Sequence, residues 1–332
     1  MKRKILSILL GAAFSVASFT AEDRDGIKVE KVHFKNNQTT MTGNLYLPKK
    51  FEKDKKYPAI TVAHPWGGVK EQTAGLYAQK LAEKGFVTLA YDATHYGESG
   101  GEPRYLENPS ERVEDIRCTV DYLSTLPMVN PEQIGALGIC AGGGYTISAA
   151  QTDLRIKAVA GISTYDVGDA ARNGLKGVYT VSYEQRMEIL KEAGEQRTKE
   201  ARGENVRIDK LMPPSAPPSS APQFSRGSYD YYETPRGHHK NATGNFKFTS
   251  NIHQIEFFPF AQIETISPRP LLLIAGSEAQ SLYFSEEAYE KAKEPKELFV
   301  VKGAAHFDMY DKPEFVTPSI DKLTDFFNKN LK

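Results

Sequence analysis

The stretch Gly138-Ile139-Cys140-Ala141-Gly142 decides the fold that this sequence predicts. It follows a short apolar run, 134–137, and opens into a helix-like run of small residues, 141–150. This is the Gly-x-Ser-x-Gly pattern of a sharp strand-to-helix turn, with cysteine in the serine position. A glycine is required on each side because a Cβ there would clash with neighbouring backbone. The turn places the sulfur at a helix N-terminus, which favours negative charge and predicts a thiol more acidic than a free one.

Strand-like and helix-like runs alternate around this turn. The predicted strands are 59–63, 86–90, 134–139, 156–162, 270–275 and 298–301, and the predicted helices are 71–84, 111–126, 141–150, 286–293 and 318–331. An antiparallel hairpin, 27–34 and 41–47, precedes them. This order predicts an α/β fold with a mostly parallel central sheet and helices on both faces. Pro318 suits the first turn of the last helix, where its missing N–H costs nothing.

The alternation breaks over about residues 167–266, which is far longer than a usual crossover. This insertion contains a charged helical run, 183–202, a proline-rich run, 213–222, and an aromatic-rich part, 229–260. We interpret it as a lid-like insertion that supplies an apolar substrate pocket. The alternatives are an insertion with its own small core and a dimer contact.

The first residues have the composition of a signal peptide. Lys2, Arg3 and Lys4 form a charged region, and the apolar run 5–16 is shorter than a typical membrane-spanning helix. We therefore predict a signal peptide over 1–21, cleaved after Ser18 or Ala21, and one domain over 22–332 that is exported to the periplasm or secreted. The alternative is a buried N-terminal helix.

Charge and cysteine content narrow the class of function. The chain has 42 basic and 42 acidic residues, so no basic excess is available to neutralise nucleic-acid phosphates. Export permits a disulfide between the two cysteines, Cys118 and Cys140, but a chain of this length does not need one, and we predict free thiols. His238-His239 is interpreted as a solvated loop because no further ligand lies at metal-binding spacing.

Three further residues fit around Cys140. His306 follows the last predicted strand, where a loop returns to the top of the sheet, and is the candidate general base. In such an elbow the oxyanion hole takes one N–H from the residue after the nucleophile, here Ala141, and a second from the loop after an earlier strand. That loop is His64-Pro65-Trp66-Gly67-Gly68, and Trp66 is the natural donor because proline has no N–H. The alternative for Trp66 is a tight turn packed into the core.

The chain as a whole resembles an α/β-hydrolase, and its cysteine elbow resembles the dienelactone-hydrolase branch. The resemblance covers about residues 28–330 and rests mainly on the motifs 64–68, 91–99 and 138–142 and on the late His306. It implies an α/β-hydrolase fold, a Cys-Asp-His triad and a lactone or ester substrate. Carried onto this sequence, it gives Cys140 as nucleophile and His306 as base.

The acid of the triad departs from the family pattern. The family carboxylate follows the strand that corresponds to 271–275, a few residues past a glycine, but this chain reads Gly276-Ser277-Glu278-Ala279-Gln280 there. Glu278 is the nearest carboxylate and is our predicted acid. Asp166, at the end of the preceding strand, is the rival, since a triad member can come from a different loop.

We therefore expect an exported hydrolase that cleaves ester, lactone or thioester bonds of a small acyl substrate through a covalent acyl-enzyme, with no metal or organic cofactor. One alternative is an acyltransferase or peptidase that uses the same site. Another is a catalytically decayed protein that only binds a ligand. The sequence leaves the substrate and the oligomeric state open.

Overall fold

The computed structural model describes residues 21–24 and 26–332. Its strands are β1 (Ala21–Arg24), β2 (Ile27–Asn36), β3 (Thr39–Leu47), β4 (Tyr57–Ala63), β5 (Val87–Tyr91), β6 (Val129–Ile139), β7 (Ile156–Ile162), β8 (Gly174–Leu175), β9 (Tyr179–Thr180), β10 (Ile208–Lys210), β11 (Asn245–Lys247), β12 (Leu271–Gly276) and β13 (Lys296–Val301). Its helices are α1 (Thr73–Glu83), α2 (Pro109–Thr125), α3 (Ala141–Ala150), α4 (Val167–Asn173), α5 (Tyr183–Ala201), α6 (Gln223–Glu233), α7 (Ser250–Ile255), α8 (Leu282–Lys291), α9 (Asp308–Asp311) and α10 (Pro313–Asn330), with a 3-10 turn at Ile263–Ile266.

The central sheet has the strand order β1-β2-β3-β5-β4-β6-β7-β12-β13. Strands β1 to β3 pair antiparallel, β3 also pairs antiparallel with β5, and the pairs from β5 to β13 are parallel. Helices α1 and α10 pack together against the sheet, and α2 and α3 form a second such pair. The predicted α/β architecture, a mostly parallel sheet flanked by helices, is confirmed.

The middle strands are apolar because both of their faces are covered. Every residue of β5 and β12 is buried, as is nearly every residue of β4 and β7. The carboxyl ends of these parallel strands meet at one edge of the sheet. That edge is where an open α/β sheet binds its ligands, and it holds the elbow after β6.

The insertion between β7 and β12 forms the helices α4 to α7 and two small two-stranded sheets, β8-β9 and β10-β11. Its longest helix, α5, is capped by a Ser182 and Gln185 capping box, and only Ala193 and Gln196 of that helix are buried. Its action as a mobile lid stays a prediction, as do the domain boundaries.

The last helix begins earlier than the sequence predicts. Helix α10 begins at Pro313, which takes the first-turn position that suits proline. Pro318 lies inside the helix, so its placement in the first turn was wrong. The error arose because two prolines five residues apart both fit a helix start by composition. Most residues of the predicted signal peptide, 1–20, lie outside the described residues.

Candidate active site

The turn between β6 and α3 holds Cys140 in a strained conformation. Its φ is 57°, in the left-handed region that L-residues rarely adopt. A Cβ on Gly138 would overlap the backbone of Gly142, and a Cβ on Gly142 would lie 2.5 Å from the carbonyl oxygen of Ala63. The structure therefore confirms that the turn needs a glycine on both sides of Cys140.

The Cys140 thiol is almost fully buried, with 9% of the residue exposed. Burial raises its pKa to about 11, although hydrogen bonding by the Tyr310 hydroxyl and by the Ala141 N–H acts in the opposite direction. The prediction of an unusually acidic thiol is wrong for this state because the cost of burying a thiolate exceeds the benefit of the helix N-terminus. At neutral pH Cys140 is therefore a thiol. Both cysteines are free, as predicted.

His306 lies in the loop between β13 and α9, at the same edge of the sheet. Its Nδ1 is 2.5 Å from the Ser281 hydroxyl oxygen, and its Nε2 is 3.2 Å from the Tyr310 hydroxyl. Burial lowers its pKa to about 3, so the imidazole is neutral at physiological pH. A neutral imidazole can accept a proton, which is the state a general base requires.

The two candidate acids lie elsewhere. Glu278 is exposed, and its carboxylate accepts a hydrogen bond from Ser277 at 3.3 Å. Asp166 is buried and caps helix α4 by accepting from the Asp169 N–H at 2.8 Å. Within residues 21–24 and 26–332, no carboxylate hydrogen-bonds to His306. The structure brings the Ser281 hydroxyl to Nδ1 instead, so a catalytic role for either acid stays a prediction.

The loop 64–68 is fixed by hydrogen bonds within the core. The His64 ring is buried, with Nδ1 2.6 Å from the Pro65 carbonyl and Nε2 accepting the Ala93 N–H at 3.0 Å. Gly67 has a φ of +72°, which favours glycine. The turn brings Trp66 to the cavity that also contains Cys140 and Ala141. Both predicted oxyanion-hole residues therefore line the same cavity as Cys140.

Two buried ion pairs support this edge of the sheet. Arg112 pairs with Glu107 at 3.0 Å and donates to the His64 carbonyl at 2.7 Å, which ties helix α2 to the loop 64–68. The Lys70 ammonium pairs with Asp92 at 2.8 Å, and this pair orders the loop 92–101. Removing one partner of such a pair leaves an uncompensated buried charge.

A cavity of about 860 Å³ opens over Cys140. Its walls are mostly apolar and come largely from the insertion. They include Val178, Tyr179, Leu211, Met212, the run Pro213–Pro218, Phe224, Tyr232 and Phe246, with Trp66, Tyr165, Phe307 and Tyr310 from the rest of the domain. Lys210 is the one charged residue among the described lining residues, and its ammonium donates to the Thr243 carbonyl.

Sequence reasoning missed Ser281 and Tyr310. Ser281 was passed over because the expected group was a carboxylate, and it lies only three residues beyond Glu278. Tyr310 carried a usable signal, since it follows His306 by four residues, the spacing at which side chains on a helical turn meet.

Comparison with known proteins identifies the relatives of this chain. The family model "Dienelactone hydrolase family" matches residues 41–167. The Escherichia coli K12 protein YcjY is 40% identical over 92% of this chain and 99% of its own length. The Pseudomonas aeruginosa protein PA2218 is 42% identical over 92% of this chain and 82% of its own length. Its crystal structure superposes with a TM-score of 0.87 over 99% of this chain and 100% of that chain, at 38% identity.

The chain belongs to the dienelactone hydrolase family. As a member of that family it is an α/β hydrolase, and the fold described above is the α/β-hydrolase fold. A more distant relative, at 23% identity over 92% of this chain and 96% of its own length, is named acyltransferase drtE and comes from Aspergillus calidoustus.

In this dienelactone hydrolase family member, the described residues contain no helix long and apolar enough to cross a membrane. They also contain no group of three His, Cys, Asp or Glu side chains placed to hold a metal ion.

Proposed function

We propose that the protein hydrolyses ester, lactone or thioester bonds of small, uncharged acyl compounds, with Cys140 as the nucleophile. The observation that carries this proposal is the position of the Cys140 sulfur. It sits at a strained elbow, beside two candidate oxyanion donors, and opens on an apolar cavity of about 860 Å³. Strain at a functional side chain is typical of sites that aim a group at a substrate.

The chemistry follows from these positions. His306 takes the thiol proton, and the thiolate attacks the substrate carbonyl to form a carbon–sulfur bond. The N–H groups of Trp66 and Ala141 hold the negative charge on the carbonyl oxygen. The imidazolium returns the proton to the leaving alcohol or thiol as the acyl bond breaks. Water, activated by His306, then attacks the acyl-enzyme, which releases the carboxylic acid and restores the thiol.

The walls of the cavity favour a neutral, partly apolar acyl group. Moving a carboxylate into an apolar cavity without a paired cation costs free energy. Lys210 is the cation that lines this cavity, but it is exposed and its ammonium already donates a hydrogen bond to a backbone carbonyl. We expect kcat/KM for a neutral alkyl or aryl ester to exceed that for an ester with a free carboxylate on its acyl part by about 10-fold or more. Steady-state assays on such a matched pair test this preference.

The charged and apolar runs at the N-terminus support export, to the periplasm or beyond the cell. Cell fractionation of the full chain, with N-terminal sequencing of the product, tests this part of the proposal. A mature protein that begins near Glu22 outside the cytoplasm supports it, whereas an intact Met1 in the cytoplasm contradicts it.

Acyl transfer is the second candidate function. It is favoured by the distant relative named as an acyltransferase and by a cavity large enough for an acceptor beside the acyl group. Turnover in the presence of added alcohols or amines separates the two activities. Faster release of the first product with formation of a new ester or amide indicates transfer.

The proposal is tested with chromogenic short-chain esters and matched variants. Cys140→Ala and His306→Ala should each abolish turnover without unfolding the protein. Cys118→Ala is the matched control, because this second buried thiol lies on helix α2 outside the cavity. Undiminished turnover in Cys140→Ala would overturn the proposal.

A further inference from the structure

Two cavities share Phe224 and Phe307 in their walls, but the rest of their linings differ in chemistry. The apolar cavity over Cys140 is lined by Tyr310 but not by His306. A second cavity, of about 330 Å³, is lined by His306 and by charged residues such as Arg236 and Asp308, but not by Cys140 or Tyr310. Tyr310 therefore stands on the substrate side of the imidazole.

The contacts of the Tyr310 hydroxyl join the nucleophile to the base. The hydroxyl lies 3.2 Å from His306 Nε2, and Tyr310 lines the same cavity as Cys140. The interaction between the hydroxyl and the Cys140 side chain lowers the pKa of the thiol. No direct hydrogen bond between Cys140 and His306 is present among the described residues. The imidazole edge that would face the thiol in a direct pair is occupied by the tyrosine.

The hydroxyl is held firmly in this place. Tyr310 is fully buried on helix α9, and its ring packs edge-on against Tyr231 at 4.9 Å and against Phe307 at 5.0 Å. Burial raises its pKa well above 10, so the phenol stays protonated at neutral pH. A protonated hydroxyl between a donor and an acceptor can pass a proton on without a net change in its own state.

We propose that Tyr310 relays the proton between Cys140 and His306, so that the two exchange it through the phenol hydroxyl rather than directly. This proposal rests on the proposed function of Cys140 as the nucleophile. In the forward step the Tyr310 oxygen receives the sulfur-bound proton while its own proton moves to His306 Nε2. One thiolate and one imidazolium result, and the tyrosine is unchanged.

Ser281 completes this proton-transfer pathway by fixing the tautomer of the His306 imidazole. If Nδ1–H donates to the Ser281 oxygen, Nε2 is left as the acceptor that faces Tyr310. The reverse steps return the proton through the same hydroxyl to the leaving group, which lies in the apolar cavity beside Tyr310. Ser281 is thus a positioning residue, and Tyr310 is a catalytic residue because, in this relay, its hydroxyl exchanges a proton with the reacting sulfur.

The relay is tested with Tyr310→Phe, which removes only the hydroxyl. We expect kcat for ester hydrolysis to fall by about 100-fold or more, the usual contribution of a positioned acid–base group, with a much smaller change in KM. The matched control is Tyr91→Phe, since Tyr91 is a buried tyrosine outside both cavities whose hydroxyl has no hydrogen-bond partner among the residues that the structure describes. This control should keep the wild-type kcat.

A second measurement on the wild-type protein keeps the proposal testable even if Tyr310→Phe does not fold. The acylation rate is measured in mixtures of H₂O and D₂O. Concerted movement of two protons predicts a curved dependence on the D₂O fraction, whereas direct transfer from Cys140 to His306 predicts a straight line.

The outcomes separate this proposal from the one on which it rests. A curved dependence, or a large fall in kcat for a folded Tyr310→Phe, supports the relay. A straight line, or wild-type kcat in Tyr310→Phe, overturns the relay while the loss of turnover in Cys140→Ala keeps the proposed function. Retained turnover in Cys140→Ala overturns both.

Discussion

Nδ1 of His306 lies 2.5 Å from the hydroxyl oxygen of Ser281 and makes no hydrogen bond to a carboxylate within the described residues. In a Ser-His-Asp or Cys-His-Asp triad, a carboxylate at this atom orients the ring and stabilises the imidazolium. A serine hydroxyl can orient the ring, but it adds no negative charge. The lack of a negative charge beside the ring is consistent with the pKa of His306, which burial lowers to about 3.

Replacing Ser281 with Asp should supply the missing charge. A carboxylate at hydrogen-bond distance raises the pKa of a histidine by about 1–3 units. We expect the His306 pKa to move upward in Ser281→Asp, measured by NMR titration of the imidazole, and to stay low in Ser281→Ala. An unchanged His306 pKa in the Asp variant would show that Ser281 does not occupy the position of a triad acid.

The reactivity of Cys140 should depend on pH as that of a buried thiol does. Because its pKa is about 11 and the thiolate is the reactive form, alkylation by iodoacetamide should be slow at pH 7 and rise up to about pH 11. The rate is followed by intact mass in Cys118→Ala, so that one thiol is counted. A plateau of fast alkylation below pH 7 would instead indicate a resting thiolate–imidazolium pair.

Single replacement of the two carboxylates separates their roles in turnover. Neither Glu278 nor Asp166 contacts His306, so the geometry predicts that Glu278→Gln and Asp166→Asn each keep kcat within about threefold of the wild type. A positioned triad acid contributes far more than this, about 10⁴-fold in the best-studied case. A loss of about 100-fold or more in one variant would identify that carboxylate as the acid after all.

Asp166 should make folding stability depend on pH. Burial raises its pKa from 3.8 to about 6, so the folded state holds this proton more tightly than the unfolded chain. The protonated Asp166 therefore stabilises the folded state below about pH 4, and this stabilisation is lost as the pH rises through 6. The loss amounts to at most about 3 kcal/mol of the free energy of unfolding. Asp166→Asn keeps the oxygen that caps α4 and removes the titration.

Urea unfolding at pH 4 and pH 7 measures this dependence. The free energy of unfolding should fall less between these two pH values in Asp166→Asn than in the wild type. An equal fall in both proteins would assign the pH dependence to other groups.

Much of the fold could be predicted from the sequence because the patterns are local. The elbow 138–142, the buried strands and the hairpin all follow from glycine placement and apolar periodicity, and the structure reproduces them to within a few residues at most ends. The start of α10 was misplaced because Pro313 and Pro318 carry the same local signal.

The site was predictable only in part, because its remaining features depend on contacts that no local pattern specifies. Cys140, His306, Trp66 and Ala141 follow landmarks at strand ends, and the structure gathers them at one edge of the sheet. The pairing of His306 with Ser281 depends on how two loops pack. The elevated pKa of Cys140 depends on how completely the insertion and α9 cover the sulfur.

The most direct test of the central claim is mass spectrometry of protein quenched in acid during turnover of an activated ester. If Cys140 is the nucleophile, peptide mapping will show the acyl mass on the peptide that contains Cys140, and Cys140→Ala will show no adduct. Steady turnover with no acyl mass on Cys140, or with the adduct on another residue, would contradict the account.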